Sequence, residues 1–461
     1  MRLLGWCALG AVLALAGPAA AQAAAEHATN ATTALSFDPD VATRAWMNTM
    51  DPAAVRRSNS YFEGGYWIDF VGPLINIAIA MLMMMLGVAK NVRTWLENTV
   101  KIYWLVALGM ALVYNVMGGV LSFPFDYYVG FVREHQYGLA TQGFSDWFTQ
   151  YLQGAGLGIA IGSIAISLLY LIIAVTKKTW WIWGAAATIV FFAFVAVYAP
   201  VYISPIFNHY TPMQDSPLKT SVLQLAQANG VPADNVYVFN VSRQSNRVTA
   251  NVSGFLGTTR ISMADNLIHR ETPGGVRAVL GHEIGHYVLH HTESLLIMTA
   301  FLLVIVFALA NWLFNRLSAG ERWGVRGISD PAGMPLLFAV IGFVMLIATP
   351  INNNITRFHE HQADMFGLNA AREPDGFAES ALLLSEYRKM EPSPLEEWFF
   401  YDHPSGYDRI HMAMVWKAHH MALGDIPMGP GGPPPGWHPD FVVMRQGANA
   451  PATPAASHAA P

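Results

Sequence analysis

Charge is the first thing this chain lacks. Lys, Arg, Asp and Glu make up 12% of its 461 residues, about half of the roughly 25% of a soluble globular protein. That is too little charge to cover a water-facing surface of this size. The balance is 26 basic against 31 acidic residues, a net charge of −5, which excludes a basic nucleic-acid binder. Cysteine is nearly missing too: Cys7 is the sole one. It lies in a segment, residues 1–23, with one basic residue, an apolar stretch and the small residues Ala21, Gln22 and Ala23, the three parts of a secretory signal peptide. An uncleaved first membrane helix is the alternative reading of the same segment. Cleavage after Ala23 leaves a mature chain without a thiol, so disulfides, thiol nucleophiles and thiolate metal sites drop out together. Any metal must then be held by nitrogen and oxygen.

What the chain has in abundance is apolar: 53% of residues are hydrophobic and 12% aromatic. After a polar, extracytoplasmic segment (24–69) come six apolar runs: Val71 to Ala89, Ile102 to Leu121, Ala155 to Val175, Trp181 to Ile203, Leu295 to Phe314 and Met334 to Pro350. Each approaches the roughly 20 residues a helix needs to cross about 30 Å of hydrocarbon. Runs one to four occupy 70–205 and runs five and six 295–350, and between and after them lie two regions of ordinary polarity, 206–294 and 351–420. Short strands are expected at Val236 to Phe239 and Arg260 to Met263, and the Pro/Gly/Ala-rich stretch 421–461 reads as disordered. Lys90, Arg93 and Lys101, then Lys177 and Lys178, then Arg316, Arg322 and Arg326 mark the first, third and fifth connections as cytoplasmic. Parity puts 206–294 and 351–461 outside, on the periplasmic side of a bacterial-type inner membrane.

The chemistry-bearing motif is His282, Glu283, Ile284, Gly285, His286. On a helix the two histidines are one turn apart and share a face, so both can hold one Zn²⁺ while Glu283 reaches the metal-bound water. By itself the motif also fits a polar helix patch. The second element, Glu360 to Asp364, follows the sixth crossing, and a transmembrane hairpin over 295–350 returns it to the side it started from. Glu360 can then supply the third ligand, with Asp265, Glu293 and His359 as weaker candidates. Asp364, one turn on, is placed to orient a ligand histidine or to pair with a basic group. Glu283 acts as general base on the water, and His403 and Arg409 are candidate donors to the developing oxyanion. His290, eight residues after His282, is expected behind the ligands as a supporting or packing group.

The chain resembles the type I CAAX prenyl endopeptidase family of integral-membrane zinc metallopeptidases and is similar to the bacterial heat-shock membrane protease. The matching pieces are Glu134 to Leu139 with Thr141 and Gln142, Ile203 to Asn208 with Thr211 and Pro212, Arg260 and Ile261 with Asp265, the zinc helix with His290, Glu360 to Asp364, and His403 and Pro404 with Arg409, spanning about residues 65–420. The resemblance implies an all-α integral membrane protein: a multi-helix barrel around an intramembrane chamber, with a small β element near a site for one zinc. It further implies cleavage near the C-terminus of lipidated or membrane-associated peptides. Where the family has an Asn-Ala pair that holds substrate backbone, this chain has Thr249 and Ala250, followed by Asn251. The main expectation is a zinc metalloendopeptidase acting on membrane-associated or unfolded peptides. The alternatives are a CAAX-type processing protease of prenylated peptides and a non-catalytic peptide-binding scaffold.

Overall fold

The computed structural model of the protein describes residues 37–253, 259–426 and 432–441. The expected signal segment 1–23 and residues 442–461 lie outside the described residues. Helices dominate. The first two, α1 (Pro39–Met47) and α2 (Pro52–Met85), start alike: an aspartate, Asp38 or Asp51, accepts backbone N–H bonds, and a proline follows where a helix has no partner for an N–H in any case. Next come α3 (Val88–Thr99), α4 (Tyr103–Tyr127), α5 (Phe144–Thr176) and α6 (Trp180–Tyr198). The more polar part adds α7 (Pro217–Ala228), α8 (Asp265–Arg270) and α9 (Pro273–Val288). Then follow α10 (His291–Leu317), α11 (Met334–Ala371), α12 (Pro374–Leu384), α13 (Pro394–Phe400) and α14 (Gly406–Leu423).

Five continuous helical stretches are long and apolar enough to cross a membrane: Pro52–Met85, Tyr103–Gln136, Phe144–Phe207, His291–Leu317 and Pro331–Ala371. The third is broken at Lys177–Thr179, where Lys177 takes φ +48°, into α5 and α6, which pack on each other. With that break the five stretches supply the six apolar helices expected from hydropathy. In four stretches 22% of the most apolar window is buried within the protein, against 50% in Pro331–Ala371. The helix α11 is therefore the central one, packed by α2, α9 and α10. Its 38 residues exceed what about 30 Å of hydrocarbon requires at 1.5 Å per residue. One uninterrupted helix thus crosses the bilayer and continues into the polar region with Glu360 and Asp364.

The basic connections gather at the far end of this bundle. Arg93 on α3 reaches Asp330, ahead of α11, at 2.9 Å, with both side chains buried, and Arg326 pairs with Glu97. The Tyr103 hydroxyl at the start of α4 donates to Ser329 O at 2.7 Å, and Trp180 Nε1 at the start of α6 donates to Asn311 Oδ1 at 2.8 Å.

A four-stranded sheet sits at the other end: β1 (Tyr210–Pro212), β2 (Val236–Phe239), β3 (Ala250–Ser253) and β4 (Arg260–Ala264), in the order β1-β2-β4-β3. Strands β2 and β4 are parallel, and β3 is antiparallel to β4 with Ala250 opposite Met263. Val236, Ile261, Met263 and Ala264 pack with Val276, Leu280 and Ile284 of α9, so the sheet backs the helix that carries the two histidines. Among the described residues no strand pairs with the outer edge of β3. Residues 432–441, within the stretch read as disordered, lie against the helices. Trp437 meets Trp46 edge-on with ring centroids 5.1 Å apart, Phe441 is buried, and Asp440 O accepts from Arg270 at 2.8 Å. Two aromatic side chains give this Pro/Gly-rich segment enough apolar area to be held.

Candidate metal centre

Small residues make the site. Thr272 caps α9 by accepting the Gly275 N–H at 3.2 Å, and Pro273 opens the first turn. Each ligand histidine is preceded by a glycine, Gly281 and Gly285, and the facing helix α11 carries Ala363 and Gly367. A Cβ on Gly281 would lie 3.0 Å from Gly367 O, and one on Gly367 would lie 2.7 Å from His282 N. Backbone therefore meets backbone where α9 crosses α11. The side chains next to the crossing, His282 and His286 from one helix and Glu360 and Asp364 from the other, are forced together.

The imidazole orientations follow from their outer partners. His282 Nδ1–H donates to Asp364 Oδ1 at 2.7 Å, because a carboxylate can only accept, and this leaves the Nε2 lone pair facing inward. Arg409, in the first turn of α14, donates to both oxygens of Asp364, at 2.9 and 2.5 Å. His286 Nδ1 is 3.1 Å from His291 Nδ1, which leaves His286 Nε2 also facing inward, 3.0 Å from His282 Nε2. Glu360 Oε2 lies 3.2 Å from His282 Nε2, and Oε1 lies 3.5 Å from His286 Nε2.

The donor set fits a cation. Glu360 Oε2 is buried and accepts no hydrogen bond. Two imidazole lone pairs and a carboxylate oxygen that converge in this way repel one another unless a positive centre joins them. One ligand atom each from His282, His286 and Glu360 fall within 4.8 Å of one another, and this is the sole such group among the described residues. Burial disfavours charge on His282, yet Asp364 and Glu360 outweigh it and push the imidazole up to about 9 in the metal-free protein. A proton and a metal ion thus compete for one lone pair. Two imidazoles and one carboxylate are the three-ligand set of catalytic zinc sites, which keep a position for water.

Glu283 lines a cavity of about 180 Å³ beside this group, together with Thr249, Ala250, His403 and Arg409. Burial first, with the Glu360 charge adding to it, raises the Glu283 carboxyl above its usual range, which makes it a better proton acceptor. His403 Nε2 lies 3.2 Å from Glu360 Oε2, and its Nδ1–H donates to Asp402 at 2.8 Å. Burial holds its pKa below the ordinary histidine value, so the ring is neutral at neutral pH.

Several expected residues fall elsewhere. His290 is left-handed, with φ +54°, in the break between α9 and α10, and its side chain points to solvent near Glu293. Its neighbour His291 takes the place behind the ligands, buried against His286. Of the other choices for third ligand, Asp265 accepts from the Ser242 backbone and hydroxyl, while His359 bonds Ile355 O and the Ser294 hydroxyl. Arg409, expected at the oxyanion, holds Asp364 instead. Thr249 and Ala250 line the cavity, whereas Asn251 sits on the same strand with its Oδ1 buried and unpartnered. The glycine and alanine spacing at 281, 285, 363 and 367 was the signal from which the helix crossing could have been read.

Comparison with known proteins agrees with this geometry. A profile of peptidase family M48 matches residues 212–417, and one described as the CAAX prenyl protease N-terminal region, five membrane helices, matches residues 40–209. An uncharacterized metalloprotease of Bacillus subtilis, YhfN, is 25% identical over 370 residues, 79% of this chain and 86% of that protein. CAAX prenyl protease 1 of Saccharomyces cerevisiae is 27% identical over 352 residues, 72% and 76% of the two chains. The crystal structure of S. mikatae Ste24p superposes with a TM-score of 0.66 at 21% identity, covering 84% of this chain and 98% of that one, which establishes the shared fold.

Proposed function

Because the chain belongs to peptidase family M48, as a zinc-dependent membrane metalloendopeptidase of the CAAX protease type, we propose that it cleaves membrane-presented peptides close to their C-terminus, with lipid-modified peptides as the preferred class. The observation that carries this reading is the convergence of His282, His286 and Glu360 beside Glu283, in a cavity bounded by the edge strand β3, whose outer side meets no strand among the described residues. Relatives named as CAAX prenyl proteases match across both the membrane helices and the catalytic part. They favour this reading over a general peptidase for unfolded segments.

His282, His286 and Glu360 hold the ion, Asp364 fixes the His282 ring, and Arg409 holds Asp364 in place. Zinc bound there supplies Lewis acidity to a water molecule and to the substrate carbonyl. The chain does the rest. An extended peptide adds to the outer edge of β3 through backbone hydrogen bonds, with its scissile bond over the site. The Glu283 carboxylate takes a proton from the attacking water and passes it to the departing amine. His403, whose Nδ1–H is held by Asp402, turns its Nε2 toward the site and donates to the developing oxyanion only once Nε2 has itself taken a proton. The membrane side follows from the other end of the bundle. The basic connections lie opposite the site, so the positive-inside rule supports a catalytic region outside the cytoplasm.

A farnesylated peptide tested against its unlipidated twin checks the substrate class. Faster cleavage of the lipidated form, stopped by a chelator and restored by zinc, is expected; equal rates would remove lipid-directed selection. An Asp215→Cys variant should react with a membrane-impermeant maleimide on intact bacterial cells, and a Lys178→Cys variant should not. The reverse labelling would place the site inside.

A further inference from the structure

Two arginines, Arg388 and Arg409, line the cavity beside Glu283, and the catalytic arrangement uses one of them. The charge of Arg409 is taken up by Asp364. That of Arg388 is met by no carboxylate within ion-pair distance among the described residues, although its main chain is held firmly. Arg388 N–H donates to Ser385 O at 3.3 Å, and Arg388 O accepts from the Ser58 hydroxyl at 3.0 Å. The nearby Asp402 instead accepts from His403. Burial, and after it the Arg388 charge, lower the His403 pKa, so the guanidinium stands within electrostatic reach of the catalytic end of the cavity.

The remaining lining is apolar, with Val248, Leu267, Val279, Phe377 and Leu384 around the same space. At about 180 Å³ the cavity falls below the roughly 300–1,000 Å³ of ordinary ligand pockets. It suits one or two apolar side chains and a chain end better than a chain that runs through. An unpaired arginine at the wall of such a cavity is a receptor for a planar anion, which it binds through two parallel N–H bonds.

We propose that Arg388 binds the free α-carboxylate of the substrate, so that the site selects peptides whose apolar C-terminal residues end inside the cavity. The proposal rests on the peptidase reading above. It makes Arg388 a specificity-determining residue and gives it no part in the proton transfers.

The test compares one apolar-ended peptide as the free acid and as the C-terminal amide, with wild-type protein, Arg388→Ala and Arg388→Lys, all zinc-loaded. Wild-type cleavage of either peptide that a chelator stops establishes the peptidase reading, and its absence would overturn that reading before Arg388 is considered. Wild type should prefer the acid by about tenfold or more in kcat/KM. Arg388→Ala should abolish the preference, and Arg388→Lys should restore part of it as a point charge. The ratio is taken within one preparation, so loss of folded protein cancels. An unchanged acid-to-amide ratio in Arg388→Ala, or equal losses on both peptides, would overturn the proposal. So would a preference that follows an internal Glu-to-Gln change rather than the chain end.

Discussion

The two ends of the α10–α11 hairpin both collect charged side chains and settle them differently. At the basic end, Arg93 and Arg326 face Asp330 and Glu97, two cations against two carboxylates, at 2.9 Å for Arg93 to Asp330 and 3.2 Å for Arg326 to Asp330. That set is neutral and ties the connection before α11 to α3. At the other end, Glu283, Glu360 and Asp364 share one guanidinium, Arg409. With uncharged imidazoles the surplus is two negative charges, which a divalent cation neutralises. A structural network closes on itself, whereas a metal site is complete only when it is loaded.

Substitutions at the two ends should therefore fail in different ways. The largest effect belongs to Glu283→Gln, which removes the base and leaves the ligands. Peptide cleavage should drop by about 10²–10⁴-fold while elemental analysis still finds zinc. At the opposite end Asp330→Ala removes the closer partner of the buried Arg93 and leaves it Glu97 at 3.6 Å; this should cost up to about 3–5 kcal/mol in unfolding experiments, with cleavage per folded molecule preserved. If Asp330→Ala also emptied the metal site, the contrast between the ends would be lost.

Asp364→Asn sharpens the comparison, because Asp364 serves both the metal and the fold. Zinc affinity should fall by about 10–100-fold, and stability should fall as well because Arg409 is left buried without its counter-charge. The smallest effect is the pH dependence of metal binding. In the metal-free protein His282 is held protonated up to about 9, so zinc must displace a proton at any lower pH. Affinity measured by chelator competition should rise with pH toward about 9, by at most about tenfold per unit for one proton. A flat profile would mean that the Asp364 and Glu360 carboxylates do not hold that proton.

Much of this was legible in the chain and some was not, for physical reasons. The two histidines, Glu283 and Glu360 could be read because helical spacing and the return of a membrane hairpin are both encoded locally. The strands β2 and β4 announced themselves through β-branched and apolar runs, but the edge strand β3, with Asn251 and Ser253, has no such pattern and exists because β4 pairs with it. His290 and His291 are adjacent, and which one backs His286 depends on a left-handed residue at the break between α9 and α10 that no periodicity marks. The partner of Arg409 was hidden because Asp364 lies 45 residues away and is reached only once α14 packs near α11. Residues 432–441 looked disordered by composition, and two aromatic side chains decided otherwise.

The most direct test of the central claim is zinc-edge X-ray absorption on the purified protein and on Glu360→Ala, with metal stoichiometry measured in parallel. One zinc per chain, bound by two imidazole nitrogens and light oxygen donors, and a sharp loss of occupancy in Glu360→Ala, is the expected result. Full occupancy without Glu360, or no zinc in the wild-type protein, would contradict the account.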